Sequence, residues 1–295
     1  MFKGSITALV TPFKNGAVDE DAVAALAERQ IVAGSHGLVP CGTTGESATL
    51  TFEEHMRVVE IVIETAGGRV PVIAGTGSNN TAVAIQNQAR AKELGADAGL
   101  VVAPYYNKPN AEGLYRHFRA ISEAVDLPIV VYNVPGRTVV DIAAETVARI
   151  ATLANVVGIK DATGDMARVA QHRRLIGPDF VQLSGDDPTA LGFNATGGVG
   201  AISVTSNVAP GLCAKFQEAT LNGDWETART LNDRLLPLHH ALFSSSSPGP
   251  SKYAMSLLGV MNTELRLPLT EPDEASRKAV REALAMAGLL EPADV

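Results

Sequence analysis

The chain has 295 residues, 46% of them hydrophobic and 19% charged, a composition that suits a folded globular protein and excludes a disordered one. A formal net charge of -8 argues against nucleic acid or an anionic membrane surface as partner, since both require a basic face. The two cysteines, Cys41 and Cys213, form no CxxC pair and no disulfide framework, so the expected compartment is a reducing cytoplasm and each is expected to be a small buried apolar residue.

The opening segment MFKGSITALVTPF carries one lysine, and Pro12 interrupts its short apolar run, so it does not read as a secretory signal. No stretch approaches the ~18–20 apolar residues of a membrane span. Strands are expected at 6–10, 37–40, 70–74, 99–103, 129–132, 156–160, 181–183 and 199–203. Continuous apolar runs such as VPVIAG, AGLVVAP and LPIVVYN suit strands buried on both faces of a parallel sheet. Helical patterns lie between them: Thr51 and Glu54 form a capping box ahead of HMRVVEIVIETA, and Asn80 precedes a helix whose end is marked by Gly95.

Eight βα units with right-handed crossovers predict a (β/α)8 TIM barrel over residues 1–205. Residues 206–295 are expected to form a C-terminal helical extension packed on the barrel or on a neighbouring subunit, with helices at 209–221, 225–243, 251–258 and 274–287. The low-complexity stretch SSSSPGP at 244–250 reads as a loop between two of them.

In such a barrel the active site is built where the strands end. Strand two runs into GTTGES (42–47), strand four into PYYNKP (104–109), strand five into YNVPGR (132–137), strand six into KDATG (160–164) and strand seven into SGDD (184–187), which gathers the polar chemistry at one rim. Lys160 ends the apolar run VVGI; alone it suits a solvated strand end, but at a poorly hydrated barrel mouth an amine can serve as the neutral nucleophile that forms a Schiff base. Tyr132 ends the preceding strand, where its phenol can relay protons, although a core aromatic is the commoner fate of one tyrosine. Arg137, ordinary as a surface charge, is suited beside such a site to grip a carboxylate in two places. The Thr43-Thr44-Gly45 turn offers hydroxyls and N–H groups to an anion, or is a plain βα turn with Glu46 three residues on as a cap.

Other patterns are weaker. Gly75-Thr76-Gly77 lacks the third glycine of a dinucleotide fingerprint, no P-loop is present, and the six histidines make no HExxH, so no cofactor and no metal are called for. His239 and His240 follow Pro237 in a predicted helix, where a surface or interface role is expected.

The set GTTGES, PYYNKP, YNVPGRT (132–138), GIKDATG (158–164), SGDD and GGVGAISVTSNVAP (197–210) resembles the dihydrodipicolinate synthase family of pyruvate-dependent class I aldolases, over about residues 2–290. The resemblance implies condensation of pyruvate with L-aspartate 4-semialdehyde to 4-hydroxy-tetrahydrodipicolinate, on the route to lysine and diaminopimelate. It implies Lys160 as Schiff-base nucleophile, with Thr43, Tyr132 and Tyr106 as a proton relay in which Tyr106 crosses a subunit interface. Thr44 would hold the pyruvate carboxylate and Arg137 that of the semialdehyde, while the backbone of Gly185 and Ile202 would line the lysine's pocket. A homotetramer built as a dimer of dimers is implied as well. Another pyruvate aldolase, an N-acetylneuraminate or keto-sugar acid lyase, is the alternative; Arg137 and the Tyr105-Tyr106 pair argue against it.

The sequence departs from the family's pattern in two places. Lysine-inhibited relatives build an allosteric cleft at positions matching Ser47, Ala48, Phe52, His55, Asn79, Val83 and Tyr105, with histidine usual where Phe52 stands and glutamate where Val83 stands. Weak or absent feedback inhibition is therefore expected. SSSSPGP replaces a Glu-Pro-Asn-Pro-like stretch.

Overall fold

The computed structural model describes residues 2–291. All eight expected strands are present: β1 Gly4–Ala8, β2 Gly37–Val39, β3 Ile73–Gly75, β4 Ala98–Val102, β5 Ile129–Asn133, β6 Val156–Asp161, β7 Val181–Ser184 and β8 Gly200–Ser203. They form one parallel sheet in the order β2-β1-β8-β7-β6-β5-β4-β3. The seam between β2 and β3 is closed by a Leu38–Val72 bridge, by Leu38 N–H to Pro71 O at 3.0 Å and by Gly75 N–H to Pro40 O at 2.9 Å. The result is the expected (β/α)8 barrel. Backbones crowd at this seam: a Cβ on Gly75 would stand 2.1 Å from Cys41 O, so only glycine fits there.

Two strands differ from the sequence expectation by more than one residue at an end. β1 lies two residues earlier, because after Leu9 N–H bonds Val39 O at 3.0 Å the next donor, Val10 N–H, is taken by the Asn207 side chain at 3.1 Å. β3 begins three residues later, at the seam. A hairpin of Phe13–Lys14 and Ala17–Val18 was not foreseen, although the Asn15-Gly16 pair at its tip, with φ of 55° and 82°, is the signature of a two-residue turn with both central residues left-handed.

Alternation along the strands decides what faces the barrel interior. Val130, Tyr132, Leu100, Leu183, Ile6 and Ile202 belong to the inner core, whereas Ile129, Val131, Val101 and Ile159 pack outward. The outer layer is made by α1 Glu20–Val32, α2 Phe52–Ala66, α3 Thr81–Leu94, α4 Ala111–Ala124, α5 Ala144–Ile150, α6 Ala167–Ile176 and α7 Ala190–Ala195. The capping box of α2 forms as expected: Glu54 N–H donates to Thr51 Oγ1 at 3.2 Å and Thr51 N–H to Glu54 Oε2 at 3.0 Å. Asn80 caps α3, which ends at left-handed Gly95.

Four helices follow the last strand: α8 Pro210–Leu221, which packs against β1 as the eighth helix of the outer layer, then α9 Trp225–Ala241, α10 Gly249–Leu257 and α11 Glu274–Met286. Their apolar faces share one cluster with the barrel, in which Leu235, Leu238, Met255, Val280 and Leu284 join Leu9, Val23, Leu26 and Leu38. Both cysteines are buried, and burial pushes their thiols up. His239 overturns the surface expectation: it is 2% exposed, its Nδ1 lying 2.8 Å from Thr205 Oγ1 beneath β8, while His240 is exposed as foreseen. α9 turns its apolar stripe, with Leu235, Leu238 and His239, inward even though Pro237 lies within it. Among the described residues no helix is long and apolar enough to cross a membrane.

Candidate active site

Lys160 and Tyr132 are paired in register on β6 and β5, so both project from the same face of the sheet at the end of their strands. Tyr132 belongs to the inner core, which puts Lys160 at the barrel's inward mouth. Both are buried, at 5% and 6% exposure, and Lys160 Nζ lies 4.3 Å from the centre of the Tyr132 ring. The aromatic face offers this amine a favourable partner while leaving it free of any ion pair among the described residues. Gly185, just past β7, makes room for the lysine: a Cβ there would stand 2.9 Å from Lys160 Cε and 2.7 Å from the Ala162 Cβ. Ile202, 1% exposed on β8, closes the floor with Tyr132 and Leu183.

The next residue on each strand points the opposite way and is locked from behind. Asp161 accepts Arg168 Nε–H at 2.9 Å and the Thr163 backbone N–H at 2.9 Å. Arg168 also reaches Asp141 at 3.1 Å, and Asn133 donates to the same Asp141 at 2.8 Å while accepting Ile142 N–H at 3.1 Å. This network ties the strand ends carrying Lys160 and Tyr132 to the loop that follows Arg137. Sequence reasoning missed it, although Asn133 and Asp161, polar residues one step beyond Tyr132 and Lys160 in buried strands, were the available signal.

At the same end of the barrel opens a cavity of about 660 Å³ whose wall includes Thr43, Val134, Arg137, Thr138, Ser47, Ala48, Phe52, His55, Val83 and Tyr105. Thr43 is exposed at its edge and Thr44 is buried behind it. The guanidinium of Arg137, exposed in the one-turn helix Pro135–Thr138, has no hydrogen-bonding partner among the described residues. Neither Lys160 nor Tyr132 is on that wall, but the same end of the barrel carries both a buried amine and an exposed guanidinium, an arrangement suited to a small oxo acid.

Of the cleft residues, His55 is buried with Nε2 2.7 Å from Gly75 O; burial lowers its basicity and the Gly75 bond partly restores it. Asn79 lies off the cavity wall and instead donates to Tyr105 O at 3.1 Å, while Asn107 donates to Asn79 O at 2.8 Å. This clamp leaves Tyr106 90% exposed with a left-handed φ of 72°, off the wall of the cavity. Within one chain no hydrogen bond joins Thr43, Tyr132 and Tyr106 among the described residues, and Tyr106 is not brought to the other two. Nor do three or more His, Cys, Asp or Glu gather as metal ligands among those residues.

A family model described as the dihydrodipicolinate synthetase family matches residues 1–287. The chain belongs to that family. It is 64% identical to the 4-hydroxy-tetrahydrodipicolinate synthase of Hyphomonas neptunium over 98% of this chain and 99% of the relative. Among solved structures, the chloride-inhibited dihydrodipicolinate synthase of Acinetobacter baumannii complexed with pyruvate superposes with a TM-score of 0.96 at 46% identity, covering 98% of this chain and 100% of the other. The synthase of Cyanidioschyzon merolae, with lysine bound, gives a TM-score of 0.95 at 41% identity, covering 98% and 99%.

Proposed function

We propose that this chain condenses pyruvate with L-aspartate 4-semialdehyde to 4-hydroxy-tetrahydrodipicolinate, in lysine and diaminopimelate biosynthesis, through a Schiff base on Lys160. The observation that carries the proposal is a buried lysine amine against a tyrosine face at the mouth of this family's barrel, whose same end carries an arginine with no hydrogen-bonding partner among the described residues. The Lys160 amine attacks the keto carbon of pyruvate and water leaves, giving an iminium whose electron withdrawal acidifies the methyl group. A base then removes a methyl proton to form an enamine, and its carbon adds to the aldehyde. Attack of the semialdehyde's own amine on the imine closes the ring and releases Lys160.

In this scheme Tyr132 and Thr43 move protons, with Tyr106 supplied by a neighbouring subunit. Its 90% exposure suits that role, which would require at least a dimer, and a homotetramer arranged as a dimer of dimers accommodates it. Thr44 holds the pyruvate carboxylate, Arg137 that of the semialdehyde, and the backbone of Gly185 and Ile202 lines the amine's pocket. The barrel of residues 1–205 supplies the chemistry and residues 206–295 buttress it, in the cytoplasm.

Borohydride reduction in the presence of pyruvate tests the mechanism: a stable adduct is expected on Lys160, absent from Lys160→Ala. An unmodified Lys160 in the wild-type protein rejects the Schiff base. Turnover with aspartate semialdehyde, and none with N-acetylneuraminate, identifies the second substrate.

A further inference from the structure

Glu46 and Lys252 form an ion pair 2.6 Å apart in which both side chains have 0% exposure. Glu46 ends the turn that carries Thr43 and Thr44, while Lys252 lies in α10, more than two hundred residues later in the chain. Glu46 is held in the left-handed region at φ 54° and ψ 33°, a conformation that a residue with a Cβ adopts only when its surroundings impose it. The surroundings here are largely the C-terminal tail. Besides the Lys252 ammonium, the carboxylate accepts Arg266 N–H at 3.2 Å, and Lys252 also donates to Glu264 O at 2.8 Å. The Phe13 ring lies 4.4 Å from Lys252 Nζ and 4.5 Å from the Arg266 guanidinium. From the barrel side the turn is anchored by Thr11 Oγ1–H to Gly45 O at 2.7 Å, and Thr49 Oγ1–H donates locally to Glu46 O at 3.0 Å.

Burial is the strongest influence on Lys252, lowering its basicity against the opposing pull of Glu46. Removing two charges wholly from water gives such a pair little advantage over an apolar pair of the same volume, so net stabilisation does not account for it. What it supplies is a fixed point: one carboxylate joined at both oxygens to two sites on the tail. We infer that Glu46 and Lys252 are positioning residues for the reaction, through which the C-terminal helices set the place of Thr43 and Thr44 relative to Lys160. The inference rests on the site proposed above. The same tail also contributes Ser247, Pro268 and Leu269 to the cavity wall, so displacement of the tail would be felt at the site on two sides.

The test is the double variant E46Q/K252M, in which the Gln carbonyl keeps the bond from the Arg266 backbone and Met fills the lysine's volume without charge. Lys252→Met alone strands a buried carboxylate and is expected to lower Tm by about 10 °C, whereas the double variant recovers most of that loss. In the double variant kcat/KM is nevertheless expected to fall by about tenfold to a hundredfold, with KM for pyruvate rising, as a displaced turn requires. Glu46→Gln alone, which leaves the Lys252 ammonium the Gln carbonyl and Glu264 O as acceptors, decides the matter if the double variant does not fold, with KM for pyruvate raised several-fold. A folded variant with wild-type kcat and KM overturns the inference. Borohydride trapping on the same samples separates the two proposals: an adduct on Lys160 with altered KM supports positioning, while no adduct in the wild type overturns the Schiff-base site and this inference with it.

Discussion

Lys160 and Tyr132 face each other across adjacent parallel strands, the amine 4.3 Å from the centre of the phenol ring. The ring and its hydroxyl therefore have separable duties. The ring shields the amine and fills the barrel mouth; the hydroxyl is the group that can exchange protons. Tyr132→Phe keeps the first and removes the second. Its Tm should stay within about 3 °C of the wild type, since a surviving ring preserves the packing. Pyruvate should still be trapped on Lys160, while kcat falls by about a hundredfold or more, the usual contribution of a positioned acid–base group. Steady-state kinetics with unchanged kcat would remove Tyr132 from the relay.

Gly185 bounds the space in which Lys160 moves. A methyl group there meets Lys160 Cε at 2.9 Å and the Ala162 Cβ at 2.7 Å, so Gly185→Ala must displace the lysine stem, the backbone of residue 162, or both. A loss of about 1–3 kcal/mol in stability is expected from overpacking, together with slower adduct formation. Urea denaturation gives the first quantity and time-resolved mass spectrometry of the reduced adduct the second. Unchanged rates of trapping would mean that the lysine approaches its substrate by another path.

Arg137 tests the opposite combination, function without stability. Its guanidinium is exposed and has no partner among the described residues, so Arg137→Ala removes nothing the fold uses and should change stability by less than about 0.5 kcal/mol. A carboxylate held in two places by a guanidinium loses charge-assisted bonds worth roughly 1.5–3 kcal/mol, so KM for the semialdehyde should rise by about tenfold to a hundredfold. Pyruvate trapping should be unaffected. A rise in KM for pyruvate alone would reassign Arg137 to the first substrate.

The barrel was legible because strands buried on both faces must be apolar throughout, and VPVIAG or LPIVVYN cannot be mistaken for amphipathic helix. Lys160 was legible for the same reason, as a charge closing such a run. The supports behind it were not. Asp161, Arg168 and Asp141 meet only after the strands have paired, and nothing in their spacing along the chain announces the network. Glu46 and Lys252 are further apart still, and Lys252 lies beside the serine- and proline-rich loop, whose composition suggests solvent rather than a side chain with no exposure. His239 was misjudged because Pro237 suggested a disturbed surface segment, whereas the stripe containing Leu235 and Leu238 carries it inward.

Buried histidines make the fold sensitive to mild acid. His117, 5% exposed on α4, is pushed down to about 4 from an ordinary 6.5 by burial, with Nε2 unpartnered among the described residues. His55, His172 and His239 are lowered in the same direction, also chiefly by burial. Between those two values for His117, the unfolded chain binds a proton that the folded one refuses. Its stabilising contribution is therefore complete above about pH 6.5 and is lost progressively as pH falls toward 4, to the extent of about 3 kcal/mol for this residue. The urea midpoint should drop between pH 7.5 and 5, and His117→Gln should flatten that dependence. A midpoint constant across the range would show that protonation is accommodated without unfolding.

The last prediction concerns lysine. Among the described residues lining the cavity, Glu46 alone carries a carboxylate, and that carboxylate is already engaged by Lys252 at 2.6 Å. Phe52 and Val83, at 37% and 38% exposure, present apolar surface where a lysine ammonium would need a negative partner. His55 cannot substitute, because an imidazole carries no negative charge in either protonation state and its Nε2 is turned to Gly75 O. Desolvating an ammonium with no counter-charge is unfavourable, so lysine should inhibit only weakly, with an inhibition constant of roughly millimolar or higher. Val83→Glu supplies the missing carboxylate and should tighten inhibition by about tenfold or more, the scale of one charge-assisted hydrogen bond. Initial rates against lysine concentration, with pyruvate and semialdehyde held near KM, measure both enzymes. Low-micromolar inhibition of the wild type would mean that the ammonium finds its partner outside this chain, across a subunit interface.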